Sequence, residues 1–215
     1  MTSETRNRIL EEFNLLEEEV TYFREAHVGL NGIDIQRVSW FLSAQLAFVG
    51  KSKLFSSFAL TDVIQRLEGR GRSASVKGPE PFKHYPLKGF WKAHFFNARF
   101  IIRNLINEWG LEYENSPKFF DLCNRVTKDE KECPSPLGWQ GRLAHELVFG
   151  GFEARAKRHR ITGEWLIFTE YAAEKYYLCI ASHSDNAEDD KKIHDLIVST
   201  CGNEFPYLFN QLREE

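Results

Sequence analysis

Between His84 and His94 the chain reads His-Tyr-Pro-Leu-Lys-Gly-Phe-Trp-Lys-Ala-His. Imidazole, ammonium and aromatic groups alternate there. Such a mixture suits phosphate contact combined with base stacking, which is how single-stranded nucleic acid is often held. The competing reading keeps the rings in the core while Lys88 and Lys92 extend their stems to water. A second cationic cluster, Arg155, Lys157, Arg158, His159 and Arg160, is dense for a strand and its turn. Strand alternation puts Arg155 and Lys157 on the face of Glu153, opposite Ala154 and Ala156. That face is either an anion site or a solvated surface with acidic cross-strand partners.

Proton transfer falls to histidine, whose ordinary pKa lies near neutrality. His94, His145, His159 and His183 are the candidates for general acid or base. His145-Glu146 does not open the zinc-protease motif H-E-x-x-H, because position 149 is Phe. Cys179 and His183 share a strand face but stand roughly 13 Å apart along it, too far for one zinc. No metal site and no cofactor is expected. Neither the phosphate-cradling G-x-x-x-x-G-K-[ST], nor a helix-opening G-x-G-x-x-G, nor G-x-S-x-G occurs.

Charge is segregated beneath a net −3. Residues 1–27 carry seven acids and three bases, residues 66–103 nine bases and two acids, and residues 184–215 eight acids and three bases. Local fields of this kind attract oppositely charged partners, unless the acidic ends fold over the basic middle and neutralise it. Four cysteines, Cys123, Cys133, Cys179 and Cys201, lack C-x-x-C spacing and are expected to be reduced. No run reaches the ~18–20 apolar residues of a membrane span, and the polar, acidic start is not a signal peptide. The cytoplasm is therefore the expected location, with no membrane partner.

The elements that must position these groups follow from periodicity. Ile9, Phe13, Leu16, Val20 and Phe23 predict one helix over 3–27, and Ile35, Val38, Leu42, Leu46 and Val49 a second. A weaker helical run surrounds Thr61–Glu68. Residues 69–82, rich in Gly, Ser, Arg and Pro, read as a mobile loop. Trp91, Phe95, Ala98, Ile102, Leu105 and Trp109 step by four and three, predicting a helix over 90–109 with Lys88, Lys92, Arg99 and Arg103 as a basic stripe on another face. Shorter helices are expected at Pro117–Val126 and Gly141–Phe149, and a last one carries Ile193, Leu196, Ile197 and Cys201. Phe152–Lys157, Glu164–Tyr171 and Lys175–His183 read as three strands of a meander over 152–183, broken by Thr162-Gly163 and Ala172–Glu174. The expected fold is α+β in a single domain spanning 1–215. It has a helical body of about six helices and a small three-stranded antiparallel sheet near the C-terminus.

A helix followed by a meander whose first strand carries Glu153-x-Arg155 resembles the sheet of RelE-type ribonuclease toxins. The resemblance covers 152–183 alone; the helical part before it has no counterpart in that family. It implies an RNA-cleaving enzyme; in a nucleic-acid-directed reading, Arg155 or Arg158 steadies the charged transition state.

Two functions stand open at this point. One is a nucleic-acid-directed protein, an RNA-cleaving hydrolase in its catalytic form, in which a histidine moves the proton. Lys88, Lys92, Arg99, Arg103, Arg155, Arg158 and Arg160 would grip RNA or another polyanion. The other is a non-catalytic interaction or regulatory module whose acidic and basic faces dock a protein partner or a second copy. Whether the chain is an enzyme at all is not decided by its residues.

Overall fold

The structure, a computed structural model, describes residues 1–53, 56–70, 78–95, 100–112, 114–151, 154, 164–183 and 186–211. Two compact units emerge, Met1–Asn97 with Gly163–Glu215, and Ala98–Thr162. Helix and sheet are mixed: nine α-helices and one four-stranded antiparallel sheet among the described residues.

In the larger unit, α1 (Ser3–Phe13) starts where the Thr2 hydroxyl accepts from the Thr5 N–H at 3.2 Å. The helix expected over 3–27 breaks at Asn14, which adopts a left-handed φ of 49°. Asn is one of the few residues that enters that region at low cost. α2 (Glu17–Ala26) restarts with the Glu19 carboxylate reaching back to the Leu16 N–H at 2.8 Å, half of a capping box that supplies its own start signal. Ile9 and Val20 stay buried on either side of the break, so the apolar periodicity runs through it.

α3 (Trp40–Ser52) is apolar nearly all round and is buried at Trp40, Phe41, Leu42, Ala44, Leu46, Ala47 and Val49. Its Ser39 cap accepts from the Leu42 N–H, and the Glu204 carboxylate accepts from the Trp40 N–H at 3.0 and 3.1 Å. α4 (Phe58–Leu67) follows. α8 (Ala187–Cys201) and the short α9 (Pro206–Gln211) close the unit.

The sheet runs β1 (Glu80–Pro81), β2 (Trp91–Phe95), β3 (Glu164–Tyr171), β4 (Glu174–Ser182), in that spatial order. The two C-terminal strands stand where expected. The third long strand does not: Trp91–Phe95 pairs antiparallel with β3, Trp91 opposite Phe168 and His94 opposite Trp165. Of the run 152–157, and with it the residues carrying the RelE-type resemblance, Ala154 alone is described, and it is helical. The helix expected over 90–109 is therefore a strand followed by α5 (Phe100–Trp109). In Trp-Lys-Ala-His-Phe, Trp91, Ala93 and Phe95 occupy one face by alternation, and the four-residue step from Trp91 to Phe95 also fits a helix. Period two and period 3.6 coincide there, and the pleated pairing prevails. Residues 71–77, half of the predicted loop, lie outside the described residues; Glu80–Pro81 near its end is the edge strand.

Trp91, Ala93, Phe95, Leu166, Phe168 and Tyr177 pack with Leu42, Leu46, Leu60 and Ile64 on one face of the sheet. Phe82, Leu87, Phe90, Trp165, Ile167 and Cys179 join Ile197 and Cys201 of α8 in the other cluster. Unpaired strand edges invite association, and both are managed here. β1 is two residues long and carries a proline. The β4 edge is covered by α3: Ser39 N–H donates to the Tyr177 carbonyl at 2.9 Å, and the Gln45 amide bonds both backbone groups of Ile180, at 2.7 and 3.0 Å. Gln45 thus stands in for a missing strand.

The smaller unit holds α5, α6 (Pro117–Glu132) and α7 (Gly138–His145), which continues as a π-helical turn through Gly150. Ser116 caps α6 and Pro117 opens it, where a missing N–H costs nothing. Trp109, Leu122 and Val126 form its small core with Leu105, Phe119, Leu143 and Leu147. All four cysteines are free thiols, Cys179 and Cys201 buried. No helix among the described residues is long and apolar enough to cross a membrane.

Candidate functional site

The cation-and-ring motif forms a closed loop rather than the start of a helix. Phe82 N–H donates to the Phe90 carbonyl at 2.9 Å, shutting its base. Phe82, Leu87 and Phe90 are buried and pin it to the sheet. Gly89, at φ 94°, makes the last bend, and its carbonyl accepts from the Thr169 hydroxyl. Leaving those three apolar side chains inside sends Lys83, His84, Tyr85 and Lys88 outward. Phe82, Leu87 and Phe90 thus take the core part of this stretch, and Lys83, His84, Tyr85 and Lys88 are left at the surface.

On the sheet beside this loop, β2, β3 and the residue just past β4 each bring one ring to a common cluster. His94 sits opposite Trp165, whose other neighbour is Ala181, and His183 lies two residues beyond Ala181 on the same face. Ring centroids are 5.1 Å apart for His94 and His183, 4.4 Å for Trp165 and His183, and 6.2 Å for His94 and Trp165. The Lys92 ammonium sits 4.1 Å from the Trp165 ring centre and 4.9 Å from that of Phe82. A cation over an indole face gains from the ring quadrupole. Lys92 is thus a half-buried member of the cluster, and the helical stripe expected for Lys88, Lys92, Arg99 and Arg103 does not form: Lys88 is in the loop, 5.5 Å from the Tyr85 ring, and Lys92 is on a strand.

A cleft of about 700 Å³ opens between the loop, Lys92, Trp165 and the first turn of α8, where Asp190 lines it. Acidic and basic side chains both line this cleft, Glu80 and Asp190 together with Lys83 and Lys92. Trp165 is 3% exposed, and its Nε1–H has no acceptor among the described residues.

Of the other predicted residues, His145 belongs to the smaller unit, exposed on α7 beside Phe149 and Glu146. Arg99, Arg155, Arg158, His159 and Arg160 lie outside the described residues, as does the side chain of Arg103. Among the described residues no group of three His, Cys, Asp or Glu side chains could hold a metal ion.

Two polar groupings escaped the sequence reading. His27 Nε2 is 2.8 Å from the Ser57 hydroxyl, the spacing of a base and its nucleophile. Its Nδ1, however, accepts from the Gly29 N–H at 3.1 Å, so Nε2 carries the proton and donates to Ser57. The imidazole cannot take the hydroxyl proton, and burial between Phe23 and Phe58 holds its pKa below the usual histidine range. This is a structural histidine. At the far end of the sheet the Arg37 fork donates to both oxygens of Glu68 at 2.8 and 3.1 Å, and the buried Tyr177 hydroxyl donates to Glu68 at 2.7 Å. Those bonds hold the Glu68 carboxyl below its ordinary pKa, while burial pushes the Tyr177 phenol up.

Comparison with protein-family models, curated proteins and solved structures finds no match.

Proposed function

We propose that the protein acts on single-stranded RNA, with His94 and His183 as its proton-transfer pair. The supporting observation is that these two histidines, one on β2 and one just past the end of β4, meet at 5.1 Å beside a loop presenting Lys83, His84 and Lys88. Two neighbouring imidazoles suit RNA cleavage by the strand's own ribose. One takes the 2′-hydroxyl proton, and that oxygen attacks the adjacent phosphorus. The bond from phosphorus to the 5′ oxygen breaks, and the other imidazole protonates the leaving oxygen. The products are a 2′,3′-cyclic phosphate and a 5′-hydroxyl, and no other reactant is consumed. The loop lysines draw in the phosphate backbone, which makes binding salt-dependent.

The test is an end-labelled RNA oligonucleotide incubated with wild type, His94→Ala, His183→Ala and the double variant, with all-DNA as control. Cyclic-phosphate ends are expected with RNA alone, across a bell-shaped pH profile. Each single variant should lose at least ~100-fold, and the double little more, because the pair acts as a unit. Intact RNA together with no salt-sensitive binding overturns the proposal. A second reading, docking of a protein partner or another copy, has its own support in the smaller unit: Leu137 is 78%, Phe149 60% and Trp139 53% exposed. Mass that rises with concentration, without RNA binding, would favour it.

A further inference from the structure

We propose that Tyr85 stacks against a base of a single RNA strand that runs across the loop from the cleft beside the histidine pair into a second cleft. The inference rests on the RNA reading and names the path of the strand and a residue that holds it.

The second cleft, of about 590 Å³, opens between the loop and the α8–α9 end of the larger unit. Lys88, His194, Asn203 and Asn210 are its polar lining, and no carboxylate is among the residues that line it. Tyr85 lines both clefts, this one and the one that holds Lys83 and Lys92. A side chain shared by two clefts stands between them, and a chain that fills both must pass over it. The Tyr85 ring is 67% exposed, while Phe82, Leu87 and Phe90 bury the other side of the loop, so an aromatic surface is held out to solvent on a pinned support. The Lys88 ammonium lies 5.5 Å from the ring centre, and Lys83 is exposed two residues before it. A ring takes the face of any base, and cations beside it meet the phosphates that flank the stacked nucleotide; together they hold a single strand without reading its sequence. The Asn203 and Asn210 amides both donate and accept, so they tolerate any base edge. A duplex keeps its bases stacked on one another and offers Tyr85 no open face. Because the first cleft also carries Glu80 and Asp190, phosphate is held more favourably at the Lys88 end. The second cleft thus anchors the strand, and the first lets it run toward His94 and His183.

The experiment is fluorescence anisotropy of the full chain with a labelled 2′-O-methyl oligonucleotide of roughly twelve nucleotides, whose methylated 2′ oxygens cannot attack phosphorus. Its duplex form and poly-glutamate, a polyanion without bases, are the controls. Tyr85→Ala should weaken the single strand by at least ~10-fold and Tyr85→Phe by less than ~2-fold, because the ring and not the hydroxyl makes the contact. Neither should change duplex or poly-glutamate binding, nor the thermal midpoint, since the side chain is exposed. Lys88→Ala should lower the slope of log affinity against log salt by ~0.7, and Tyr85→Ala should leave that slope in place. Asn203→Asp, which sets a carboxylate in the second cleft, should weaken the single strand by at least ~5-fold. Tyr85→Ala within ~2-fold of wild type, equal losses in Tyr85→Ala and Tyr85→Phe, the same loss on the duplex, or an indifferent Asn203→Asp each overturns the inference. The probe cannot be cut, so this result is independent of the cleavage assay. Tyr85-dependent binding by a protein that does not cleave RNA defeats the histidine chemistry alone. RNA cleavage with a single-strand affinity indifferent to Tyr85 defeats the stacking path alone.

Discussion

Removing Glu68 should be among the most damaging polar substitutions in the larger unit, because two side chains, Arg37 and Tyr177, both donate to it. Its side chain is 13% exposed and that of Arg37 11%, and the fork between them is bidentate. Tyr177 is fully buried and donates to the same carboxylate. In Glu68→Ala, Arg37 keeps Glu174 at 3.0 Å and the Lys175 carbonyl at 3.1 Å, while the Tyr177 hydroxyl keeps nothing. Breaking a buried pair from one side costs ~3–5 kcal/mol. The surviving contacts of Arg37 put the expectation at the lower end, about 3 kcal/mol. Tyr177→Phe removes one bond to a charged acceptor and leaves the pair intact, so about 1.5 kcal/mol is expected. In the double variant the phenol is no longer orphaned, so the two costs should fall short of additivity by roughly 1–2 kcal/mol. Urea denaturation followed by circular dichroism measures all four corners of this cycle.

The same residue predicts a pH effect whose sign is fixed. Glu68 has a folded pKa below its ordinary value of 4.5. Above 4.5 it is ionised in folded and unfolded chains alike, and its stabilisation is complete. As pH falls below 4.5 the unfolded chain takes the proton first. The contribution then drains away and is gone once pH lies below the folded value. Wild type should therefore lose stability more steeply than Glu68→Gln on acidification below 4.5. A Glu68→Ala cost under ~1 kcal/mol, additive costs in the cycle, or parallel acid slopes would each refute this account of the network.

Gln45→Ala should cost ~1–3 kcal/mol, because both backbone groups of Ile180 lose their partner. It should also expose the β4 edge, so light scattering on mild heating should rise with the denaturant midpoint's fall; an unchanged midpoint would mean water replaces the amide at no cost. His27, with its pKa lowered by burial, binds a proton less readily folded than unfolded, so stability should fall as pH drops through ~6.5. His27→Phe should flatten that part of the stability–pH curve, and a slope unchanged between pH 7 and 5.5 would show the imidazole to be as free as in the unfolded chain.

Much of the fold was legible where one periodicity stood alone. Glu164–Tyr171 and Glu174–Ser182 announce themselves by β-branched and aromatic density around a short break, and the apolar steps of Leu42, Leu46 and Val49 mark α3. Legibility failed where two periods share residues. Trp91 to Phe95 satisfies a four-residue step, and Ala98 to Trp109 continues it across a change of element, so a strand and a helix merge into one apparent stripe. Phe95 keeps its core role, 1% exposed, but in the sheet; Trp109 is buried in the other unit, among Leu122 and Val126. The break at Asn14 is of a different kind. Its signal, Asn followed five residues later by Glu19 capping Leu16, is local and short, and a long heptad-like series conceals it.

The candidate site shows the same division between what a line of residues can say and what pairing alone can do. His94 and His183 were each legible as histidines on apolar elements, yet 88 positions separate them in sequence. Their meeting depends on β2 joining β3, a long-range antiparallel choice that no local pattern encodes. The same pairing decides Lys92. On a helix its period would turn it to solvent beside Arg99; on β2 it faces Trp165, where the ammonium lies over the indole and beside Phe82. There the Lys92 ammonium is held over one aromatic face, and moving away from Trp165 would forfeit the cation–π contact. The exposed Lys83 and Lys88 of the pinned loop then become the cations that a phosphate chain would meet first, and Trp165 becomes the residue that joins the histidine pair to the cleft.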